Sequence, residues 1–301
     1  MEWNFVFGFL IVLVAVLMLL VYWFFPSQTN EFIITGPTHS NFTLKSTDTM
    51  QFYPNMRFLD SRISYKISDC SIKKIEDMKD AFNLITEKTS MLFYEVNENE
   101  EINVTCSEKV KVNEGLFIAG EGGPTKVIQT DKFNVILQGD ILLLKDSSCI
   151  NPNVAIHELL HVLGFDHSEN QNNIMYFVSK CDQTIGDDIV NLLNQLYSIK
   201  PYPDLTLSNI TANIKGNYLN TEFYVKNNGL KTSESGTVII YGDDKIIKSI
   251  DLKPLEIGSS LKITLDNAQA SRNTKVLKFT IKYDYEEIDK LNNEIVLQVA
   301  E

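Results

Sequence analysis

Histidine is scarce in this chain, four in 301 residues, and cysteine is no commoner. No Lys or Arg precedes Lys45, no two cysteines form a CxxC pair, and acidic residues outnumber basic ones to leave a net charge of −12. Widely separated cysteines exclude a cysteine zinc knot. The acidic balance excludes general nucleic-acid binding, which calls for a basic patch. Acidic runs such as residues 98–101 read as solvated loop surface, and the sequence holds no internal repeat or long low-complexity segment. With no early Lys or Arg, flanking charge gives no membrane orientation.

One long uncharged run is present, residues 5–25. Its length matches the ~20 residues that span a bilayer as a helix. It exceeds a signal-peptide core, has no positive leader, and ends at Trp23-Phe24-Phe25-Pro26 without a small-residue cleavage site, which predicts an uncleaved anchor over 1–26. Tyr22 and Trp23 suit the membrane interface. A polar stalk over 27–55 is expected to follow.

Three of the four histidines fall within His157-Glu158-Leu159-Leu160-His161-Val162-Leu163-Gly164-Phe165-Asp166-His167. Residues four apart share a helix face, so His157 and His161 can aim two imidazoles at one ion, and Glu158 stands beside that ion as candidate general base. Gly164 can take the left-handed conformation that stops the helix and brings in His167 as third ligand. Asn151 and Pro152 offer a cap and a first helical residue, predicting a helix over 152–163. Three neutral imidazoles leave a zinc ion one open position, so the motif implies a zinc-bound water activated by Glu158 for attack on a peptide carbonyl. The alternative is an amphipathic helix with Leu159, Leu160, Val162 and Leu163 in a core and its histidines merely exposed. It does not account for Gly164 and His167 falling in register. His39, in a polar stretch, has no assigned role.

The string resembles the metzincin clan of zinc metalloendopeptidases, and its matrixin branch in particular. Asn173-Ile174-Met175-Tyr176 resembles the clan's Met-turn, which makes Met175 the methionine beneath the zinc, with Tyr176 and Phe177 as pocket walls rather than ligands. The segment 186–197, with Asp187 and Asp188 and with Ile189, Leu192, Leu193 and Leu196 at helical spacing, resembles the last helix of a matrixin domain. Arg62–Ile67 resembles its first strand, followed by a helix with Ile72, Ile75, Phe82 and Ile85 on one face. The resemblance covers residues 56–200 and implies an α+β domain with a mixed twisted sheet, an active-site helix and a C-terminal helix. It departs from the family in three ways. There is no cysteine switch, no histidines for a second zinc, and no calcium loop, since Gly120-Glu121-Gly122-Gly123-Pro124 carries a single carboxylate. One zinc is expected, and calcium has no support. Residues 133–137 and 141–144 read as two strands separated by Gln138-Gly139-Asp140, one of them a possible edge for pairing with substrate.

In such a domain Cys70 and Cys106 would close neighbouring strands while Cys149 and Cys181 bracket the catalytic segment, which implies the pairs Cys70 with Cys106 and Cys149 with Cys181. Four buried free thiols are the alternative. Sequons at Asn41, Asn103 and Asn209 join the disulfides in placing the bulk of the chain outside the membrane. After Tyr197 the pattern turns β-rich, with seven runs between 205 and 299 as in an immunoglobulin-like sandwich over 201–301. Pro203-Asp204-Leu205, Val225-Lys226-Asn227-Asn228-Gly229 and Leu291-Asn292-Asn293 resemble adhesion-related (CARDB-like) modules. The expected function is a membrane-anchored extracellular zinc endopeptidase acting on proteins or peptides, with a possible cell-surface partner for the C-terminal domain. The alternative is an adhesion or binding protein whose metzincin domain holds zinc without catalysis.

Overall fold

A computed structural model describes residues 2–24, 29–35, 50–109, 111–113, 116–144 and 149–300. His39 and the sequon at Asn41 lie outside the described residues. Helix α1 (Glu2–Phe24) forms as the apolar run predicts, and its described side chains, Trp3 and those at 6–20, are all exposed. Among the described residues no helix is long and apolar enough to cross a membrane, so the expected span over 5–25 is not carried by the structure. Side chains at both ends of that run, Tyr22 and Trp23 included, lie outside those described.

Strand β1 (Thr29–Ile34) corrects the expectation of a stalk. It belongs to the C-terminal sheet, as its pairing below makes clear. Strands β2 (Met56–Phe58) and β3 (Arg62–Ile67) open the first domain, and helix α2 (Ile72–Lys88) follows, with Ser71 accepting from the Lys74 amide as N-cap. Its buried face comprises Lys74, Asp77, Met78, Ala81, Phe82 and Ile85. Ile72, expected on that face, is exposed, and Ile75 is half-buried. Next come β4 (Leu92–Glu95), β5 (Ile102–Cys106), the hairpin β6 (Lys111–Asn113) and β7 (Leu116–Ile118), then β8 (Gly120–Gln129) and β9 (Asn134–Leu143).

The two strands expected over 133–144 are thus one ten-residue strand, β9. Gln138-Gly139-Asp140 is no turn: Gly139 lies where a β-carbon would come within 2.5 Å of Val162 Cγ1, so a helix packed over the strand requires the glycine. β9 pairs in parallel with β2 and β5, and β3 joins β5 to β4 in parallel. β8 runs antiparallel along the whole of β9 and forms the outer edge of this six-stranded mixed sheet. Helices α3 (Asn153–Val162) and α4 (Asp187–Tyr197) complete the domain. Arg57, buried, donates to the carbonyls of Leu196 and Ile199 and stacks on Tyr197, which satisfies the end of α4.

The seven expected C-terminal strands all form: β10 (Leu205–Lys215), β11 (Tyr218–Asn227), β12 (Gly236–Gly242), β13 (Lys245–Leu252), β14 (Ser260–Gln269), β15 (Val276–Lys282) and β16 (Glu294–Val299). β1 makes an eighth, antiparallel to β10 on one side and to β16 on the other, with Phe32 buried in the core of this all-β domain. The strand preceding the first domain therefore joins β10 to β16 in one continuous path of pairing. A third, smaller apolar cluster of Phe133, Val135 and Leu230 sits where the two domains meet.

Candidate metal centre

Helix α3 starts later and less tidily than the sequence suggests. Pro152 is the N-cap, and Asn151 contributes its backbone carbonyl to the Asn153 amide rather than a side-chain cap. The Asn153 side chain instead donates to the Lys180 carbonyl. The helix ends as expected: Gly164 has φ +96, its amide bonds the His161 carbonyl, and the Phe165 amide bonds the Leu160 carbonyl. These two bonds form a Schellman motif, which reverses the chain and delivers His167 to the helix face.

The three imidazoles converge. His161 Nε2 lies 3.0 Å from His157 Nε2 and 3.2 Å from His167 Nε2. Tetrahedral bonds of zinc to nitrogen would set such nitrogens about 3.3 Å apart, so the donor set fits that ion. Backbone carbonyls fix two of the rings from behind, Ile174 O at 2.7 Å from His157 Nδ1 and Phe165 O at 2.8 Å from His161 Nδ1. With the proton on Nδ1, each Nε2 lone pair faces the centre. Burial holds His157 at about 4 and lowers His161 as well, favouring the neutral form that a metal requires. Among the described residues this is the one cluster of three or more metal-ligating side chains.

Glu158 is buried against β8, where a β-carbon on Gly120 would meet its Cγ at 2.7 Å and one on Gly122 its carbonyl oxygen at 2.4 Å. Burial first, and the charge of Glu121 second, raises its carboxyl to about 8. The segment 120–124, weighed above as a calcium loop, is strand, and Gly120 and Gly122 let it lie directly on the helix. Met175 is 1% exposed, with its amide held by Asn173 Oδ1. The same turn supplies the Ile174 carbonyl to His157, so one peptide segment both orients a ligand and places the methionine. Tyr176 and Phe177 lie side by side, ring centroids 4.5 Å apart, Phe177 exposed.

Both expected disulfides are present, Cys70–Cys106 and Cys149–Cys181. The second ties the approach to α3 to the loop beyond Met175. Sequence reasoning missed one contributor. Phe52 stacks on the His161 ring at 5.7 Å, its amide bonds the Gly164 carbonyl, and Met50 O accepts from the Asp166 amide. These residues carry no motif, and only the chain's return across the Gly164 turn brings them to the site. Beside them a cavity of about 510 Å³ is lined by Met50, Phe165, His167, Met175, Asp188 and Ile189.

Residues 57–198 match the family model described as Matrixin, and residues 202–296 match CARDB. No curated protein sequence matches the chain. Similar solved structures include the CARDB domain of the PF1109 protein from Pyrococcus furiosus, described in complex with di-metal ions, at 20% identity over 33% of this chain and 88% of that one, TM-score 0.28. A domain of a putative cell surface protein from Methanosarcina acetivorans matches at 17% identity over 33% of this chain and 93% of that one, TM-score 0.25. High choriolytic enzyme 1, a hatching enzyme zinc-protease from Oryzias latipes, matches at 18% identity over 43% of this chain and 55% of that one, TM-score 0.23. At these TM-scores the likenesses carry no argument of their own. The family matches identify a matrixin domain at 57–198 followed by a CARDB domain at 202–296.

Proposed function

We propose that this chain is a zinc-dependent endopeptidase held at a membrane by its N-terminal helix, with both domains outside. The observation that carries the catalytic part is the convergence of three Nε2 atoms, with Glu158, the residue after His157 on the same helix, buried and not one of them. His157, His161 and His167 would hold the ion. Zinc bound there supplies a Lewis acid that makes water acidic and polarises a carbonyl. Glu158, neighbour to His157, takes a proton from attacking water on its carboxylate and returns it to the leaving amine. Carbonyls of Ile174 and Phe165 keep the two imidazoles in one tautomer throughout.

The open side of β8 is the surface on which an extended peptide pairs. The Leu144 amide bonds the Ala119 carbonyl, so by antiparallel alternation Gly120, Gly122 and Pro124 turn their backbone groups away from β9. Gly120 and Gly122 offer both donor and acceptor, whereas Pro124 offers only a carbonyl. Tyr176 and Phe177 flank the primed side as pocket walls. The anchor rests on the uncharged run 5–25, and the outside location on two disulfides, which persist in oxidising compartments.

Zinc analysis of the purified full-length protein, combined with mapping of cleaved bonds in an unfolded protein before and after chelation, tests this reading. One zinc per chain and cleavage that stops on chelation and returns with zinc are expected. Zinc without cleavage would favour a binding protein instead.

A further inference from the structure

The three short C-terminal motifs, 203–205, 225–229 and 291–293, converge on one place, and what fills it comes from the other domain. The turn 130–133 between β8 and β9 inserts among them. Lys132 Nζ lies 2.9 Å from Asp204 Oδ2 and 3.6 Å from Asp289 Oδ2. Asp204 has no exposure at all, and Asn292 Nδ2 donates to its other oxygen. Asp204 Oδ2 makes no angle-satisfying hydrogen bond, but at 2.9 Å the ammonium neutralises it all the same. Asn228 takes both ends of Asp131, its Oδ1 accepting from the Asp131 amide and its Nδ2 donating to the carboxylate, which also receives Lys226. Thr130 Oγ1 donates to the Asn228 carbonyl, and Phe133 is buried in the cluster that holds Leu230. Asn227 holds the receiving loops in shape by accepting from the Asp204 and Gly229 amides and donating to the carbonyls of Lys231 and Leu255.

This turn ends β8. The strand is fixed at its other end by Gly120 and Gly122 against Glu158, but its register with β9 slips twice between, at Pro124/Lys126 and at Lys126/Val127. Pairing with β9 alone does not define the middle of the strand. We propose that the CARDB domain is a clamp for the substrate-pairing edge: Lys132, seated in the Asp204–Asp289 pocket, is a positioning residue that holds the far half of β8 straight for an extended peptide. The domain is then part of the peptidase's cleft and not a spacer. The effect on peptides rests on the reading of β8 given above; the effect on the strand does not.

The test uses the full-length protein carrying Lys132→Met, which keeps the apolar stem and removes the charge, with Lys132→Arg as the conservative control. Amide exchange over β8 should quicken about tenfold in Lys132→Met while α2 is unchanged, and KM for a ten-residue peptide should rise about fivefold with kcat and zinc content unaltered. Arginine should restore most of both. If Lys132→Met does not fold, Asp131→Ala, which loosens the exposed rim of the same contact, should show the same pattern more weakly. Exchange that stays unchanged in β8, or quickens equally in α2, overturns the clamp. Were the protein to cut no peptide at all, the exchange result would still decide the clamp, while the peptidase reading alone would fall.

Discussion

Gly122 lies directly on the backbone of Glu158: a β-carbon there would come within 2.4 Å of the Glu158 carbonyl oxygen and 2.9 Å of its α-carbon. Backbone cannot yield as a side-chain tip can, so Gly122→Ala must push β8 off α3. Overpacking of this kind costs about 1–3 kcal/mol. It should also lower kcat/KM if, as proposed, an extended peptide pairs with the displaced strand. Gly123→Ala is the control, since no atom lies near its would-be β-carbon. Equal activity in the two variants would contradict this packing.

Phe32 sits opposite Ala212 on β10 and opposite Val299 on β16, its ring in the core of the C-terminal domain. Phe32→Ala should therefore destabilise the C-terminal domain by about 3–5 kcal/mol, although the residue lies far from that domain in sequence. A soluble fragment must accordingly begin before Thr29. Fragments starting at residues 27 and 36 should unfold at clearly different denaturant midpoints, and identical midpoints would mean that β1 contributes nothing.

Burial pushes the Glu287 carboxyl up to about 7 from an ordinary 4.5. The folded state thus holds this proton more tightly than the unfolded one, so its contribution is fully present below pH 4.5 and is lost as pH rises through 7. Glu287→Gln stays neutral and keeps an acceptor for the Leu205 amide; Asn293 Nδ2, which now donates to the carboxylate, must turn over so that its Oδ1, without a hydrogen bond, accepts from the new amide. At pH 8 the variant should exceed wild type by roughly 1–3 kcal/mol, with the difference closing near pH 5. Parallel stability curves across that range would refute the assignment.

Cys149–Cys181 closes 32 residues that include α3 and all three histidines. Replacing both cysteines by serine should cost about 2–4 kcal/mol and weaken zinc retention against a chelator. Replacing Cys70 and Cys106, which join α2's approach to β5, should cost stability but leave zinc retention alone.

The three-histidine cluster was legible because its spacing is local: a helical repeat of four, a glycine stop and a third histidine all fall within eleven residues, and Gly164 has the positive φ that the spacing demands. Both cysteine pairs were legible through family resemblance. What stayed hidden depends on contacts distant in sequence. The segment 120–124 has the composition of a loop, yet its glycines serve close packing on Glu158, and Gly139 breaks the apparent run of β9 only because Val162 lies over it. β1 is six residues within a mostly polar stretch, and its place shows only when β10 and β16 are beside it. Lys132 and Phe52 carry no motif, and their partners come from the other domain and from the far side of the Gly164 turn.

The central claim is that Glu158 moves the proton while the three histidines hold the ion, and the most direct measurement compares full-length wild type with Glu158→Gln for zinc content and peptide cleavage on the same preparations. One zinc in each, with cleavage reduced by about 10²–10⁴-fold in the variant, is the result expected if that carboxylate is the general base. Equal cleavage by the two proteins at equal zinc content would contradict it.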